Sequence, residues 1–261
     1  MRRLRIGHDI PNCPIAPRHA SVSLTQPAPK SVSFSRLEGK GISVRFEDFA
    51  FLRDPKTGLV CCRVPVGSTT DELTRSVRTF YAERVAHFGY TGFSWEIDDV
   101  FHQRSVYLVV ADGSGNLVVT CRGTHHRPGA VLPFEMALRD GGPSYALAPE
   151  LPVMDFNTFT YRPGTYETAM PLQIAGLACY ARHQGARRAF CLYDVKNDRI
   201  RRAYTAFGWE HAPDFPDPIY FPTYGRVEDG EFKPAQWRVF HWTEGTIDRL
   251  DREARGRFVV R

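Results

Sequence analysis

The segment 197–209 constrains the fold of this chain more than any other part of the sequence. It follows residues 188–195, an apolar run rich in strand formers that predicts a buried strand. The side-chain oxygen of Asn197 or of Asp198 can accept a hydrogen bond from the first-turn amides of a helix, and Gly208 can supply the left-handed residue that ends one. The segment therefore predicts a strand, a tight turn and a short helix on which Tyr204 lies.

The spacing within this segment resembles the last motif of the GNAT acyltransferase superfamily. Tyr204 lies seven residues after Asn197, and Gly208 and Trp209 follow four and five residues after Tyr204. In that motif an Asn ends a strand, a helical Tyr follows, and a Gly with an aromatic residue closes the helix. Ile200 replaces the usual Ala, and Trp209 replaces the usual Phe. The residues alone also allow an ordinary strand-turn-helix whose Tyr204 packs in a core.

A second resemblance, over residues 75–210, narrows the family. The order of its motifs is similar to that of the autoinducer synthases and the N-acyl amino acid synthases, GNAT-like enzymes that take a fatty acyl chain from acyl carrier protein. The matching positions are Arg78, Tyr81, Glu83, Gly89, Tyr90, Trp95, Asp98, Asp99, the strand 105–110 and Arg122. Val119 stands where a Gly is usual, and Asp155 and Asn157 only loosely replace the usual Glu-x-Ser-Arg pattern.

These resemblances imply one α/β domain, with a GNAT-like mixed, mostly antiparallel twisted sheet flanked by helices. The predicted order of helix, hairpin, strand, helix, strand, helix and strand is the GNAT order. The domain is predicted to cover residues 41–261. Residues 1–40 are rich in Pro and Ser and show no sustained period, so they predict an N-terminal arm without a core of its own.

Apolar periodicity and turn residues predict the individual elements. The predicted strands cover 42–46, 59–64, 105–112, 116–122, 153–161, 188–195 and 236–242. The predicted helices cover 69–88, about 167–183, 198–207 and a C-terminal stretch with Ile247, Leu250 and Ala254 on one face. Pro171 is compatible with the second helix only if it lies in the first turn, because it lacks the amide hydrogen that later turns need.

Composition fits an ordinary globular protein of a reducing compartment. The chain has 261 residues, 43% of them hydrophobic, and neither an 18-residue apolar window nor a secretory signal. The six cysteines form no C-x-x-C pair and lie at no metal-ligand spacing from a His, which predicts neither disulfides, a metal site nor a catalytic thiol. We therefore expect a cytoplasmic protein without integral membrane association. An Arg- and Ser-rich start also allows a transit peptide.

The net charge of +5 is too small for a typical nucleic-acid binder. Basic residues nevertheless cluster around the strand 188–195, namely Arg182, Arg187, Arg188, Lys196, Arg199, Arg201 and Arg202. Such a cluster can attract phosphates or an acidic protein. A solvated helix surface is the equal alternative, since charge runs are common on such faces.

The donor-binding loop is expected at residues 162–167. CoA-dependent GNAT enzymes have glycines there, so that backbone amides approach a pyrophosphate. This chain keeps Arg162 and Gly164 but has Thr165 and Glu167 at glycine positions, and a Glu would repel pyrophosphate. The departure favours pantetheine on acyl carrier protein over acyl-CoA as the donor. With Asn197 and Arg201, the residues Arg162, Gly164 and Thr165 are the predicted donor-binding set.

The resemblance implies direct transfer of an acyl group from a thioester to an uncharged amine. Tyr204 is the predicted acid that protonates the departing sulfur, and Asp155 and Glu167 are the candidate bases. Each of these two residues can equally be an ordinary polar residue at the end of a strand or helix, without a catalytic role. Several aromatic residues, including Phe156 and Phe159, are expected in the core, although some can line an acyl tunnel.

The acceptor, a small-molecule amine such as an amino acid, is expected to contact four residues: Arg122, Asp98, Trp95 and Phe134. Arg122 can hold a carboxylate with two parallel hydrogen bonds, or form an ion pair at the surface. Asp98 and its neighbour Asp99 can orient Arg122 or bind the amine, or lie solvated in a loop. The predicted function is fatty N-acyl transfer. A CoA-dependent small-acyl N-acetyltransferase and a non-catalytic GNAT-like binding domain are the alternatives.

Overall fold

The computed structural model describes residues 44–126, 131–143, 145–146 and 152–260, without the side chains of residues 95–98. One compact unit runs from Ile42 to Arg261. The predicted N-terminal arm, residues 1–40, lies outside the described residues. Within the described ranges, no helix has both the length and the apolar character that crossing a membrane requires.

A single sheet forms the centre of this unit. Its strands are β1 (Ala50–Arg53), β2 (Val60–Pro65), β3 (Tyr90–Thr91), β4 (Ser105–Ala111), β5 (Leu117–His125), β6 (Leu138–Arg139), β7 (Gly142–Pro143), β8 (Val153–Tyr161), β9 (Arg188–Asp194), β10 (Glu210–His211), β11 (Ile219–Glu228), β12 (Glu231–Thr243) and β13 (Val259–Val260). The spatial order is β13-β1-β2-β4-β5-β8-β9-β12-β11-β6-β7, with β10 beside β12 and β3 beside β11. Among the described strands, β8 and β9 are parallel and the other pairs are antiparallel.

Helices cover both faces of the sheet. They are α1 (Asp71–His87), α2 (Trp95–His102), α3 (Tyr166–His183), α4 (Asp198–Ala206) and α5 (Glu244–Arg257). Because both faces are covered, the central strands are near-continuous apolar runs, and β4 is buried throughout. One face, here called the α3 face, packs Leu108, Cys121 and Phe156 against α3. The opposite α1 face packs Val64 and Val109 against α1.

Most predicted elements are confirmed. The strand 153–161 has the predicted bounds, and the predicted hairpin at 105–122 is β4 with β5. The strand predicted at 59–64 is β2, and its partner is β1 instead of the stretch 42–46. Asn197 caps α4, since its side-chain oxygen accepts from the Ile200 amide at 3.1 Å. Gly208 follows in the left-handed region at φ 79°. The C-terminal helix buries the predicted face.

Three expectations are wrong. The described part of the strand predicted at 42–46 is not a strand: Phe46 begins a 3₁₀ helix, Phe46–Phe49, because the Asp48 carboxylate accepts from the Arg45 amide at 2.8 Å and closes a turn. Asp98 and Asp99 lie in α2 instead of a loop, and α2 is anchored by buried Phe101. Pro171 is the sixth residue of α3, beyond its first turn; burial of the helix on nearly every side outweighs the missing hydrogen bond.

Candidate active site

The two parallel strands at the centre of the sheet part after four paired residues. Their register begins at Val153 with Arg188 and ends at Phe156 with Cys191, although β8 continues to Tyr161. Beyond Phe156, the β8 backbone groups that face β9 therefore have no strand partner among the described residues. The strand before Asn197 and the strand 153–161 are thus sheet neighbours that separate.

A β-bulge in β8 accounts for this opening. On the other side of β8, Arg122 pairs with Asn157 but Thr120 pairs with Thr160, so β8 has one residue more than β5 over this interval. The extra residue is Thr158, whose φ of 48° lies in the left-handed region that non-glycine residues rarely adopt. A bulge bends the strand that contains it, which turns the end of β8 away from β9.

On the α3 face, the opening leads to apolar side chains and the predicted acid. A cavity of about 10 Å³ is lined by Cys121, Phe156, Phe159, Ile174, Leu177, Cys191, Tyr204 and Trp209. Tyr204 is 7% exposed and its ring lies perpendicular to that of Phe159, with 6.0 Å between the ring centroids. Burial raises the pKa of Tyr204 well above its usual value, so the phenol stays protonated at neutral pH. Burial also raises the pKa of Cys121 and Cys191, which leaves both thiols unreactive.

A wider groove of about 360 Å³ lies between α4 and the start of α3. Its lining residues are Tyr161, Tyr166, Arg199, Ile200, Arg202, Ala203, Ala206 and Phe207. At the start of α3, the Thr165 hydroxyl donates to the Arg162 carbonyl at 2.7 Å and does not cap the helix. The first-turn amides of α3 are thus left for another acceptor.

The predicted donor-binding residues divide into two groups around this groove. Arg162, Gly164 and Thr165 form the turn before α3, with Gly164 at φ 77°. Asn197 caps α4, and the exposed side chain of Arg201 is paired with Asp198 at 3.0 Å. The arginines that line the groove are instead Arg199 and Arg202, which the sequence presents only as members of the basic cluster.

On the α1 face, the same opening is bordered by buried polar side chains. The Arg122 Nε atom donates to the Asn157 side-chain oxygen at 2.8 Å, and the Asn157 amide donates to the Thr124 hydroxyl at 3.2 Å. Thr124 and Ser105 are joined at 3.0 Å. Arg122 is only 1% exposed, and its guanidinium lies 5.8 Å from the centroid of the Phe101 ring. This arginine is therefore a fixed part of the sheet.

Asp155 lies on the same face and is 0% exposed. Neither carboxylate oxygen has a hydrogen bond of good geometry to the described residues. Burial raises the pKa of Asp155 to about 7, although the charge of Arg122 and, more weakly, the Asn157 side chain and the Phe134 amide lower it. A carboxylate that ionises near neutral pH is suited to accept a proton from an amine. Burial in an apolar surrounding is the physical cause.

The other predicted site residues are dispersed. Glu167 is exposed in the first turn of α3. Phe134 is 0% exposed and packs on Phe190 and Phe215, with ring centroids 5.3 and 5.5 Å away, so it lies in the core. Trp95 and Asp98 lie in α2, but their side chains are outside the described set. The structure therefore brings Asp155 and Arg122 together on one face, with Tyr204 on the other.

A group of aromatic residues that the sequence reasoning missed lies beside the opening on the α1 face. This aromatic cluster consists of Tyr81, Tyr90, Phe93, Tyr224 and Trp237. The Tyr90 hydroxyl donates to the carboxylate of buried Asp194, the last residue of β9, at 2.6 Å. Arg226 forms an ion pair with the same carboxylate. No local motif reveals the cluster, because its members come from α1, β3, β11, β12 and the turn after β3.

No protein-family model matches the sequence, and no curated protein matches it either. Solved structures that are similar to the chain are GNAT acyltransferases. FeeM, an N-acyl amino acid synthase from uncultured soil microbes, is 15% identical, with 76% of this chain and 97% of that chain covered and a TM-score of 0.47. NAA60 from Arabidopsis thaliana, in complex with acetyl-CoA, is 10% identical over 71% of this chain and 99% of its own, with a TM-score of 0.46.

A spermidine N-acetyltransferase from Vibrio cholerae, in complex with CoA and spermine, is also similar in structure. It is 9% identical over 72% of this chain and 97% of its own, with a TM-score of 0.43. The GNAT-like fold expected from the sequence is confirmed by the chain's own topology. Its mostly antiparallel sheet is flanked by helices, and its one parallel pair among the described strands parts in the middle.

Proposed function

We propose that this protein is an N-acyltransferase that moves an acyl group from a pantetheine thioester to the amine of a small molecule. The observation that supports it best is the parting of β8 and β9 at Phe156 and Cys191, with a buried phenol on one side and a buried carboxylate on the other. The opening gives a thioester access to unpaired backbone amides of β8. An acid and a base lie on opposite faces of that position.

The reaction follows from this arrangement. The acceptor nitrogen attacks the thioester carbonyl, and β8 amides beyond Phe156 stabilise the negative charge that develops on its oxygen. Asp155, ionised near neutral pH but itself fully buried, takes the proton that the nitrogen loses through an intervening water. The carbon–sulfur bond then breaks, and Tyr204 donates its proton to the departing sulfur. Glu167 remains a proposed alternative base, although its exposed position at the start of α3 is on the donor side.

We further propose a fatty acyl group on acyl carrier protein as the donor. Glu167 in the first turn of α3 disfavours the pyrophosphate of CoA, whereas a carrier-bound pantetheine has one phosphate. Arg199 and Arg202 line the groove between α4 and the start of α3, and neither forms an ion pair within the described part of the chain. Acidic groups of a carrier at the groove mouth would therefore meet available positive charge. Buried free thiols at five of the cysteines agree with a cytoplasmic location.

One observation favours the second candidate, a CoA-dependent transferase for small acyl groups. The apolar cavity beside Tyr204 measures about 10 Å³, roughly the space of a single water. A fatty chain needs this cavity to open by movement of side chains such as Phe159 or Trp209. A short acyl group needs much less rearrangement.

A donor series separates these candidates. The full chain is incubated with a pool of amino acids and amines and with acyl groups of increasing length, each supplied on acyl carrier protein and on CoA. Products are identified by mass spectrometry, and thiol release gives the rate. Faster turnover with long-chain carrier supports the first proposal, and faster turnover with acetyl-CoA supports the second. Absence of amide product from every donor contradicts acyl transfer itself.

The dependence of KM on salt concentration tests more directly whether the basic groove recruits acyl carrier protein. Attraction between exposed charges is screened over a Debye length of ~8 Å at physiological ionic strength, so KM for acyl carrier protein should rise with salt. Arg199→Glu with Arg202→Glu should raise it further. Arg252→Glu, an exposed arginine on α5 away from the groove, is the matched control. If KM for acyl carrier protein changes neither with salt nor in the Arg199→Glu, Arg202→Glu variant, recruitment by this surface is contradicted.

A further inference from the structure

Arg122, which the sequence suggests as the residue that holds an acceptor carboxylate, is not accessible for this role, so another guanidinium is needed. Arg122 is 1% exposed and donates to Asn157 within the sheet. A substrate carboxylate would have to displace that bond and enter a closed core. Arg226 has a guanidinium of fixed geometry that is also accessible to solvent.

Arg226 is held in place from two sides. It forms an ion pair with Asp194, whose side chain is 3% exposed, while the arginine side chain itself is 23% exposed. Its guanidinium carbon lies 3.8 Å from the centroid of the Tyr90 ring, a stacked arrangement that favours a cation. The ion pair uses Nη1, and the Nε and Nη2 atoms have no partner among the described residues. Donors therefore remain for one further acceptor group.

The aromatic cluster places Arg226 at the rim of the opening on the α1 face. Tyr81 comes from α1, which also contacts β8, and its ring lies 5.1 Å from that of Phe93. Phe93 meets Tyr224, which is stacked on Trp237 with 5.6 Å between ring centroids. Trp237 is paired directly with Asp194 in the register of β12 and β9. The cluster thus extends from the helix above β8 to the strand beyond β9.

A second donor in this cluster also has no acceptor. The Trp237 Nε1 atom is buried and has no hydrogen-bond partner within the described ranges. An indole nitrogen can only donate, and a buried donor without a partner is costly. Arg226 and Trp237 both lie in contact with Tyr90. Of these two donors without an acceptor among the described residues, the guanidinium edge of Arg226 is the one that reaches solvent.

We infer that Arg226 binds the carboxylate of the acceptor, which makes the acceptor an amino acid and not a simple amine. This inference rests on the proposed acyl transfer. Asp194 neutralises part of the charge of Arg226 and fixes its plane, and the remaining edge forms hydrogen bonds to the substrate. Arg226 then acts as a specificity residue: it selects carboxylate-bearing amines and orients their nitrogen toward the opening.

Matched acceptor pairs test the inference. L-phenylalanine is compared with 2-phenylethylamine, and L-leucine with 3-methylbutylamine, with hexanoyl-CoA or hexanoyl carrier protein as donor. In the native chain, kcat/KM should favour each amino acid over its amine. Arg226→Gln should raise KM for the amino acids by roughly 10- to 100-fold, leave KM for the donor unchanged and abolish the preference. Arg226→Lys should restore part of it.

Arg238→Gln is the control, because this arginine lies on neighbouring β12 and donates to the Pro216 carbonyl at 2.9 Å. It should keep the native preference. An unchanged amino acid preference in Arg226→Gln, with normal thermal unfolding, overturns the inference and leaves acyl transfer intact. Equal kcat/KM for amino acids and amines in the native chain also overturns it.

Calorimetric titration without donor separates the two proposals. L-phenylalanine should bind the native chain more tightly than 2-phenylethylamine, and Arg226→Gln should remove this difference. If the native chain shows this preference but no donor gives an amide, the carboxylate site stands and acyl transfer fails. Inorganic phosphate is titrated as competitor: if it displaces the amino acid at equal concentration, the site binds anions in general and the assignment to a carboxylate is wrong.

Discussion

The two faces of the sheet border the same opening, but the side chains beside it are apolar on one face and polar or charged on the other. On the α3 face, the residues beside the parting strands are apolar or aromatic, and Tyr204 is the one phenol that lines the cavity. On the α1 face, the equivalent positions are Arg122, Asp155 and Asn157. A strand thereby separates Tyr204, the proposed proton donor, from Asp155, the proposed proton acceptor. The proposed substrates, a thioester with an acyl tail and a charged amino acid, need such different surroundings.

The largest expected effect concerns the carboxylate of the α1 face. With a pKa of about 7 in the fold against ~3.9 in an unfolded chain, Asp155 favours the folded state most fully below about pH 4. That contribution is lost as pH rises through about 7, and its size is on the order of 4 kcal/mol. Thermal melting of the native chain should therefore fall over this range. Asp155→Asn should flatten the dependence, and an unchanged pH profile would exclude a buried ionising Asp155.

The phenol of the α3 face should affect turnover and not stability. Tyr204→Phe should lower kcat by on the order of 10²-fold or more if the hydroxyl protonates sulfur. Its KM and melting temperature should change little, because the ring still fills the same space. Steady-state kinetics and melting are measured on the same preparation. Full turnover in this variant would remove Tyr204 from the mechanism.

Packing on the α3 face gives the next effect in size. A Cβ atom at Gly176 of α3 would lie 2.3 Å from the Cys61 Sγ atom of β2. Gly176→Ala should destabilise the fold by about 1–3 kcal/mol, the usual cost of overpacking, as measured by chemical denaturation. The double variant Gly176→Ala with Cys61→Ala should recover most of this loss relative to Cys61→Ala alone. Failure of that rescue would show that the contact is not the cause.

The smallest effect is expected at a hydroxyl of the α1 face. Thr120 and Thr160 pair across β5 and β8, and both hydroxyls are buried without a partner within the described residues. Thr120→Val keeps the shape and removes one of these groups, so stability should change by less than about 0.5 kcal/mol or increase slightly. The amino acid preference should persist. A clear loss of stability would indicate a bound water or a substrate contact at this hydroxyl.

Sequence patterns predicted the regular parts of this fold well. The strand 153–161 and the capped helix after Asn197 have strong local signals, because apolar runs and side-chain caps act within a few residues. β11 was not predicted, since Pro222 and Gly225 interrupt its alternation, yet pairing with β12 along most of its length holds it in place. α2 is not among the predicted helices, because its acidic residues are also typical of a solvent-exposed loop.

The candidate site was only partly predictable. Tyr204 and Asp155 were named from spacing within single segments, and the structure places both beside the opening. Arg226 was not named, because its role depends on Tyr90 and Asp194, which lie far from it in the chain. The position of Arg122 at the end of a buried strand predicts an acceptor contact, whereas its hydrogen bond to Asn157 within the sheet depends on pairing between strands and leaves no local signal. Long-range contacts of this kind leave no trace in local periodicity.

Because the bulge in β8 depends on one extra residue, a change in the number of residues in this strand matters more than a change in their identity. Thr158 is the extra residue, so its removal would leave Thr160 opposite Thr120 and would keep the later side chains on their present faces. It would remove the bulge that bends β8, and the opening between β8 and β9 would close. Loss of a single codon there would therefore have a larger effect than many point substitutions nearby. Among diverging copies of this gene, we therefore expect selection to remove insertions and deletions within residues 157–161, even where the amino acids at these positions vary.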